Sequence, residues 1–100
     1  MTRLISKESA QAFFNHQDFK SGNTQVKDDK FYLFNNCIAK FKNDDLYVRF
    51  YFNSLTTRER LNTLGNVGGY RIDATQINFI PCLNGEQITD EKAWVKVQKI

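Results

Sequence analysis

The stretch from Phe31 to Phe52 constrains this chain most. It holds three strand-like runs, "FYLF", "CIAKFK" and "LYVRFYF", separated only by "NN" and "NDD". A parallel crossover takes a dozen or more residues, so connections this short require antiparallel neighbours. Asn35 and Asn36 suit a two-residue hairpin, because Asn tolerates the positive φ such turns need. Asn43 to Asp45 makes the next turn. In the last run Leu46, Val48, Phe50 and Phe52 alternate with Tyr47, Arg49 and Tyr51. Successive side chains of a strand point to opposite faces, so the first set is expected in the core. The second falls on the side that antiparallel sheets commonly leave to solvent.

On either side of this meander the pattern turns helical. In "ISKESAQAFFNH", Ser6 reads as an N-cap, with Ile5 and Ala10 as a hydrophobic staple. Ala10, Phe13 and Phe14 share one helical face, and Phe19 follows to pack beneath it. Ser21, Gly22 and Asn23 form a turn. Thr24 to Lys27 reads as an edge strand and Asp28 to Lys30 as a turn. In "SLTTRERLNTLGNVGGY", Thr56 and Glu59 have capping-box spacing. They predict a helix over Thr57 to Leu64 that stops at Gly65, with Leu61 and Leu64 buried. Gly68 and Gly69 then mark a bulge or a close backbone approach. Tyr70 shares a strand face with Ile72, as Ile77 does with Phe79. Pro81 ends a strand or marks an edge, Asn84-Gly85 is a turn tip, and Ala93 to Gln98 is the last strand. There Trp94 points away from Ala93, Val95 and Val97. The expected fold is α+β, one domain over residues 1–100: N-terminal helix, antiparallel meander, short crossover helix, second antiparallel meander.

Composition narrows the classes of function. A charged fraction of 25% fits an ordered chain, and 41% hydrophobic residues, nine of them Phe, supply one core. The net charge of +3 favours acidic partners (nucleic acid, anionic lipid or an acidic protein surface) and also serves solubility. Cys37 and Cys82, with His16 as the one histidine, do not supply the four ligands of a zinc site. They read as small buried hydrophobes of a reducing compartment, and no cofactor is expected. The N-terminus lacks a signal-peptide core and no run has transmembrane length. The expectation is a whole small gene product, cytoplasmic, with no membrane partner.

Chemistry-bearing groups are sparse. His16 has Asp18 nearby, a pair able to act as a general base, but no nucleophile accompanies it. Asp28-Asp29 and Asp44-Asp45 are turn residues, and Gly68-Gly69 lacks the phosphate-loop motif. The expectation is no enzyme. Two surfaces remain. Tyr47, Arg49 and Tyr51, with Lys40 and Lys42 of the neighbouring run, mix rings and cations as single-stranded nucleic acid requires. The competing reading puts the first helix over this face, which makes the tyrosines core. The second surface is the short helix. Arg58, Arg60 and Asn62, with Arg71 beyond it, can meet an acidic protein patch or a nucleic-acid backbone. The competing reading is a solvated helix whose arginines pair with Glu59 or Asp73. Trp94 is an interface anchor for a partner or a homodimer.

Five pieces also resemble a group of small tailed-bacteriophage accessory proteins: "ISK" with Ala10, Ala12 and Phe13 near the start, "YLF" with Asn36, Ile38 and Ala39 in the hairpin, "TTRERLN", "LNG" and "WVKV". They keep the same order and cover most of the chain, and Thr56 to Asn62 is the most specific. The chain departs from the group's pattern at "FIPC", where the relatives tend to have a Trp-Tyr pair, and in the longer "EQITDEKA". The resemblance brings no activity that carries over residue by residue. It implies phage origin and an accessory role in the cytoplasm of an infected bacterium. Such proteins often bind and block a host protein or ribonucleoprotein complex, CRISPR effectors included, so the leading expectation is an inhibitor of host defence or replication, of which an anti-CRISPR is one form. Nucleic-acid binding is the alternative.

Overall fold

The computed structural model describes residues 4–100. The chain runs α1 (Leu4–Phe14), β1 (Phe19–Ser21), β2 (Thr24–Lys27), β3 (Lys30–Leu33), β4 (Asn36–Lys42), β5 (Asp45–Val48), α2 (Leu55–Gly68), β6 (Ala74–Ile77), β7 (Ile80–Leu83), β8 (Glu86–Gln87) and β9 (Val95–Val97). This is the expected α+β order. All strand pairs are antiparallel. A six-stranded sheet has the order β1-β2-β3-β4-β5-β9, and a three-stranded sheet the order β6-β7-β8. The last strand leaves the second meander and returns to pair with β5.

The meanders are written by two-residue turns with both φ angles positive: Asp28-Asp29, Phe34-Asn35, Asn43-Asp44, Asn78-Phe79 and Asn84-Gly85. Such turns match the right-handed twist of the strands they join. They also correct the expected boundaries. The "NN" hairpin turns one residue earlier, at Phe34-Asn35, and Asn36 already belongs to β4. Lys30 and Asp45 are strand residues rather than turn residues. Thr24 to Lys27 is not an edge, because β1 pairs outside it. The register shifts between Phe31 and Tyr32. Ile38 is the extra residue, so it and Ala39 are both buried and Ile38 does not share the face of Lys40. The strand after Leu46 is shorter than expected. Leu46, Val48 and Phe50 are buried, but Tyr51 has φ 58° and turns the chain, leaving Phe52 65% exposed.

Helix α2 is longer than expected at 14 residues. Its N-cap is Ser54, not Thr56: the Thr57 amide donates to Ser54 Oγ at 3.1 Å. It stops at Gly69, whose φ of 73° is the left-handed cap conformation, with its amide bonded to the Gly65 carbonyl at 2.9 Å. Gly65 and Gly68 lie inside the helix, where glycine costs stability. Packing explains both. A Cβ on Gly65 would sit 2.9 Å from Ile72 Cβ, and one on Gly68 would fall on the Phe14 ring. The close approach expected at the double glycine is therefore real, but it joins two helices. Ser6 likewise is not a cap. It is buried inside α1, and its hydroxyl donates to Glu59 Oε1 of α2 at 2.6 Å.

Both helices belong to one side of the large sheet. Phe13 of α1 packs 4.9 Å from the Phe41 ring and 6.0 Å from Phe31. Leu61 and Leu64 of α2 are fully buried in the same cluster as Val26, Phe31, Leu46 and Val48. Ala74 and Leu83 of the small sheet join that cluster. Pro81 is neither an end nor an edge, for it sits in the middle strand of the small sheet. Its carbonyl accepts from the Ile88 amide at 2.8 Å. It has no amide to return the bond, and β8 ends at Gln87 accordingly.

Candidate functional site

The residues expected to form a helix surface are mostly committed to the fold. Arg60 is 5% exposed and so is not a surface group. Its guanidinium donates to Thr24 Oγ1 at 3.3 Å and makes close contacts with Ser6 Oγ and Glu59 Oε1. Glu59 accepts from Ser6 and from Thr63 Oγ1, the latter at 2.9 Å. This is the Arg–Glu pairing weighed above, buried between α1, α2 and β2 rather than solvated. Asn62 donates to the Ala74 carbonyl at 3.0 Å and accepts from the Ala74 amide at 2.7 Å, stitching β6 to α2. Arg58 bonds Asn53 at 2.6 Å and Gln76 at 3.2 Å. Arg71 alone of this set is exposed. Trp94 is on another side of the molecule, so the structure does not gather these five into one site.

The face of the six-stranded sheet away from the helices is different. Pairing sets Lys27 opposite Lys30, Lys30 opposite Lys40, Lys40 opposite Tyr47, and Tyr47 opposite Lys96. Four lysines and one tyrosine thus form a single row across β2, β3, β4, β5 and β9. The residues before and after them in each strand, such as Val26, Phe31, Ala39, Leu46 and Val97, are buried on the helix side. The helix-covered reading of the tyrosines is overturned, because Phe13 and Phe14 find their partners on the opposite face. Like charges directly opposite on a sheet are destabilising, and strands about 4.8 Å apart root these lysines side by side. Among the described residues, the only ion pair in the row is Lys96 with Asp45, at 3.5 Å.

Rings lie beside the row. Trp94 points outward as expected and is half-buried. The Lys40 ammonium sits 4.4 Å and the Arg49 guanidinium 4.1 Å from its ring centre. Arg49 also lies 4.8 Å from the Tyr51 ring. It donates to the Cys37 carbonyl at 2.8 Å and to the Lys92 carbonyl at 3.1 Å. Arg49 is therefore a clamp that pins the loop before β9 to the sheet, and its charge is not free for a ligand. Lys40 and Lys42 make no hydrogen bond or ion pair with the described residues. They line a notch of about 150 Å³ with Tyr47 and Trp94. Cys37 shares the face, and burial raises its thiol above the ordinary range, partly offset by Arg49. Both cysteines are free thiols.

Larger hollows lie elsewhere. A cleft of about 570 Å³ is bordered by His16, Asp29, Asp44 and Lys99. His16 pairs there with Asp29 at 2.7 Å, and not with the nearby Asp18. Its floor is closed by the stacked Phe14 and Tyr70 rings, 5.8 Å apart. An apolar groove of about 440 Å³ lies between Phe34, Ile38, Phe50 and Phe52.

Lys27, Lys30 and Lys96 were not among the site residues expected from the sequence. For Lys27 and Lys30 the signal was present in "KDDK": once Asp28-Asp29 is recognised as a complete two-residue turn, the flanking lysines must face each other.

The family model described as Kyanoviridae Gp96 protein matches residues 2–99. The chain belongs to that family. It is thus a phage protein, as the resemblance implied. No curated protein and no solved structure matches it. No helix among the described residues is long and apolar enough to cross a membrane.

Proposed function

We propose that this phage protein is a non-enzymatic binding protein that holds nucleic acid across the helix-free face of its large sheet. One observation carries the reading: the row Lys27–Lys30–Lys40–Tyr47–Lys96, in which lysines oppose lysines without intervening carboxylates. A phosphate backbone laid on the row relieves that repulsion and releases counterions. The reading reverses the order of the two sequence-based expectations, because the inhibitor reading, which came from the phage resemblance, had placed its contact on the α2 arginines, and Arg60 is interior. The test is fluorescence anisotropy of a labelled oligonucleotide at rising salt. Log affinity should fall linearly with log salt, by about 0.7 per phosphate contact for a single strand. Affinity that ignores salt, or no binding at low salt, defeats it.

The inhibitor reading is second, and a different observation favours it. The apolar groove beside the exposed Phe34 and Phe52 offers a protein-type surface. A host protein or ribonucleoprotein complex captured in stoichiometric amount, and lost on changing Phe52 to Ser, supports it. Protection of phage from CRISPR immunity tests its narrowest form.

A further inference from the structure

We infer that the notch between Trp94 and Tyr47 seats one unpaired base of a single strand, with Lys40 as its movable cover. This deepens the proposed function and rests on it. The notch is small, about 150 Å³, and open to solvent on the sheet face. Its walls are an indole and a phenol, whose π-faces stack on any base. Its rim carries the ammoniums of Lys40 and Lys42, one position outward on the same face of β4 from the other.

The two cations on Trp94 are not alike. Arg49 is fixed by two backbone carbonyls, so it stays and orients the indole. Lys40 rests 4.4 Å from the ring centre with no other partner among the described residues. A lysine is a point charge on a flexible stem. An entering base takes its place on the ring, and the ammonium swings to the phosphate beside that base. The exchange needs a base free of its complement, so the notch selects single strands, whereas the lysine row alone grips any phosphate backbone.

Trp94 is the only tryptophan, so its fluorescence reports on this notch directly. The probes are a 12-mer of oligothymidylate, an abasic backbone of the same length, and a 12-base-pair duplex, each end-labelled so that anisotropy follows binding independently. The expected result is that oligothymidylate quenches Trp94 while the abasic strand and the duplex bind without quenching. Trp94→Ala should weaken oligothymidylate about tenfold or more, in line with the loss of one stacked base, and leave the abasic strand unchanged. Should Trp94→Ala fail to fold, quenching in the parent still decides, and Tyr47→Ala supplies the second variant. Binding by anisotropy with Trp94 unquenched, or equal quenching by the duplex, overturns the notch and leaves the lysine row standing. No binding of any probe overturns both.

Discussion

The two faces of the six-stranded sheet treat charge in opposite ways. On the helix side the buried cation is Arg60, and the fold supplies Thr24, Ser6 and Glu59 around it. No buried side-chain nitrogen or oxygen among the described residues lacks a hydrogen-bond partner. On the open side Arg49 is held as completely, by two carbonyls and two rings. The lysines around it are held less: Lys96 has Asp45 and Lys40 rests on Trp94. They are set against one another in register, a repulsion the fold leaves standing. Charges satisfied from within belong to stability, whereas the opposed lysines are the charges on which the proposed binding rests.

Breaking the helix side should have the largest effects. Arg60→Glu puts a carboxylate beside Glu59 in the place of its partner. Breaking a buried pair costs about 3–5 kcal/mol, and added repulsion raises that. Against a total of roughly 5–15 kcal/mol for a typical domain, urea titration should find the variant unfolded or nearly so. A cooperative melt near that of the parent would put Arg60 on the surface after all. Leu61→Ala comes next, at roughly 2–5 kcal/mol for truncating a buried leucine. A smaller loss would mean that α2 can settle into the space.

Gly68→Ala tests the contact between the helices. Alanine is the better helix former by about 1 kcal/mol, yet here a methyl meets the Phe14 ring. Overpacking costs about 1–3 kcal/mol, so a net loss is expected, and Phe14→Leu in the same chain should recover part of it. Stabilisation by Gly68→Ala alone would refute the close packing. Ser54→Ala should cost about 1 kcal/mol through the lost cap, and Thr56→Ala should be nearly neutral. The reverse ranking in thermal melts would return the cap to Thr56.

The sequence carried the fold class because short turns force antiparallel neighbours, and the alternation in "LYVRFYF" named Leu46 and Val48 as core. It misjudged α2 because Gly65 looks like a stop. Whether a glycine ends a helix or lets another element approach depends on Ile72 and Phe14, which are remote from it in local pattern. Arg60 was misplaced for a similar reason. Nothing within "TTRERLN" says that Ser6 and Thr24 will close over one arginine and not over Arg58. The open face was half legible. Tyr47, Lys40 and Lys42 were named from parity within single strands, whereas the row needs register across five strands, and register turned on reading "DD" as a whole turn and on one bulge at Ile38.

The smallest change in stability should carry the clearest information. Lys27→Ala with Lys30→Ala removes two directly opposed ammoniums at the open end of the row. Opposed like charges are unfavourable and a cross-strand pair contributes roughly 0.2–1 kcal/mol, so the double variant should hold its melting temperature or gain slightly. Its affinity for a single-stranded oligonucleotide should fall, and the slope of log affinity against log salt should flatten by about 0.7 for each phosphate contact removed. The two readings then move in opposite directions, which a merely structural role cannot produce. If stability drops instead, the lysine stems are packing groups that cover apolar surface. If affinity and slope both stay as they were, the Lys27–Lys30 end of the row does not bind the strand. The contact would then lie toward Lys40, Lys42 and Lys96, where the same double-alanine experiment can be repeated with Lys40 and Lys42.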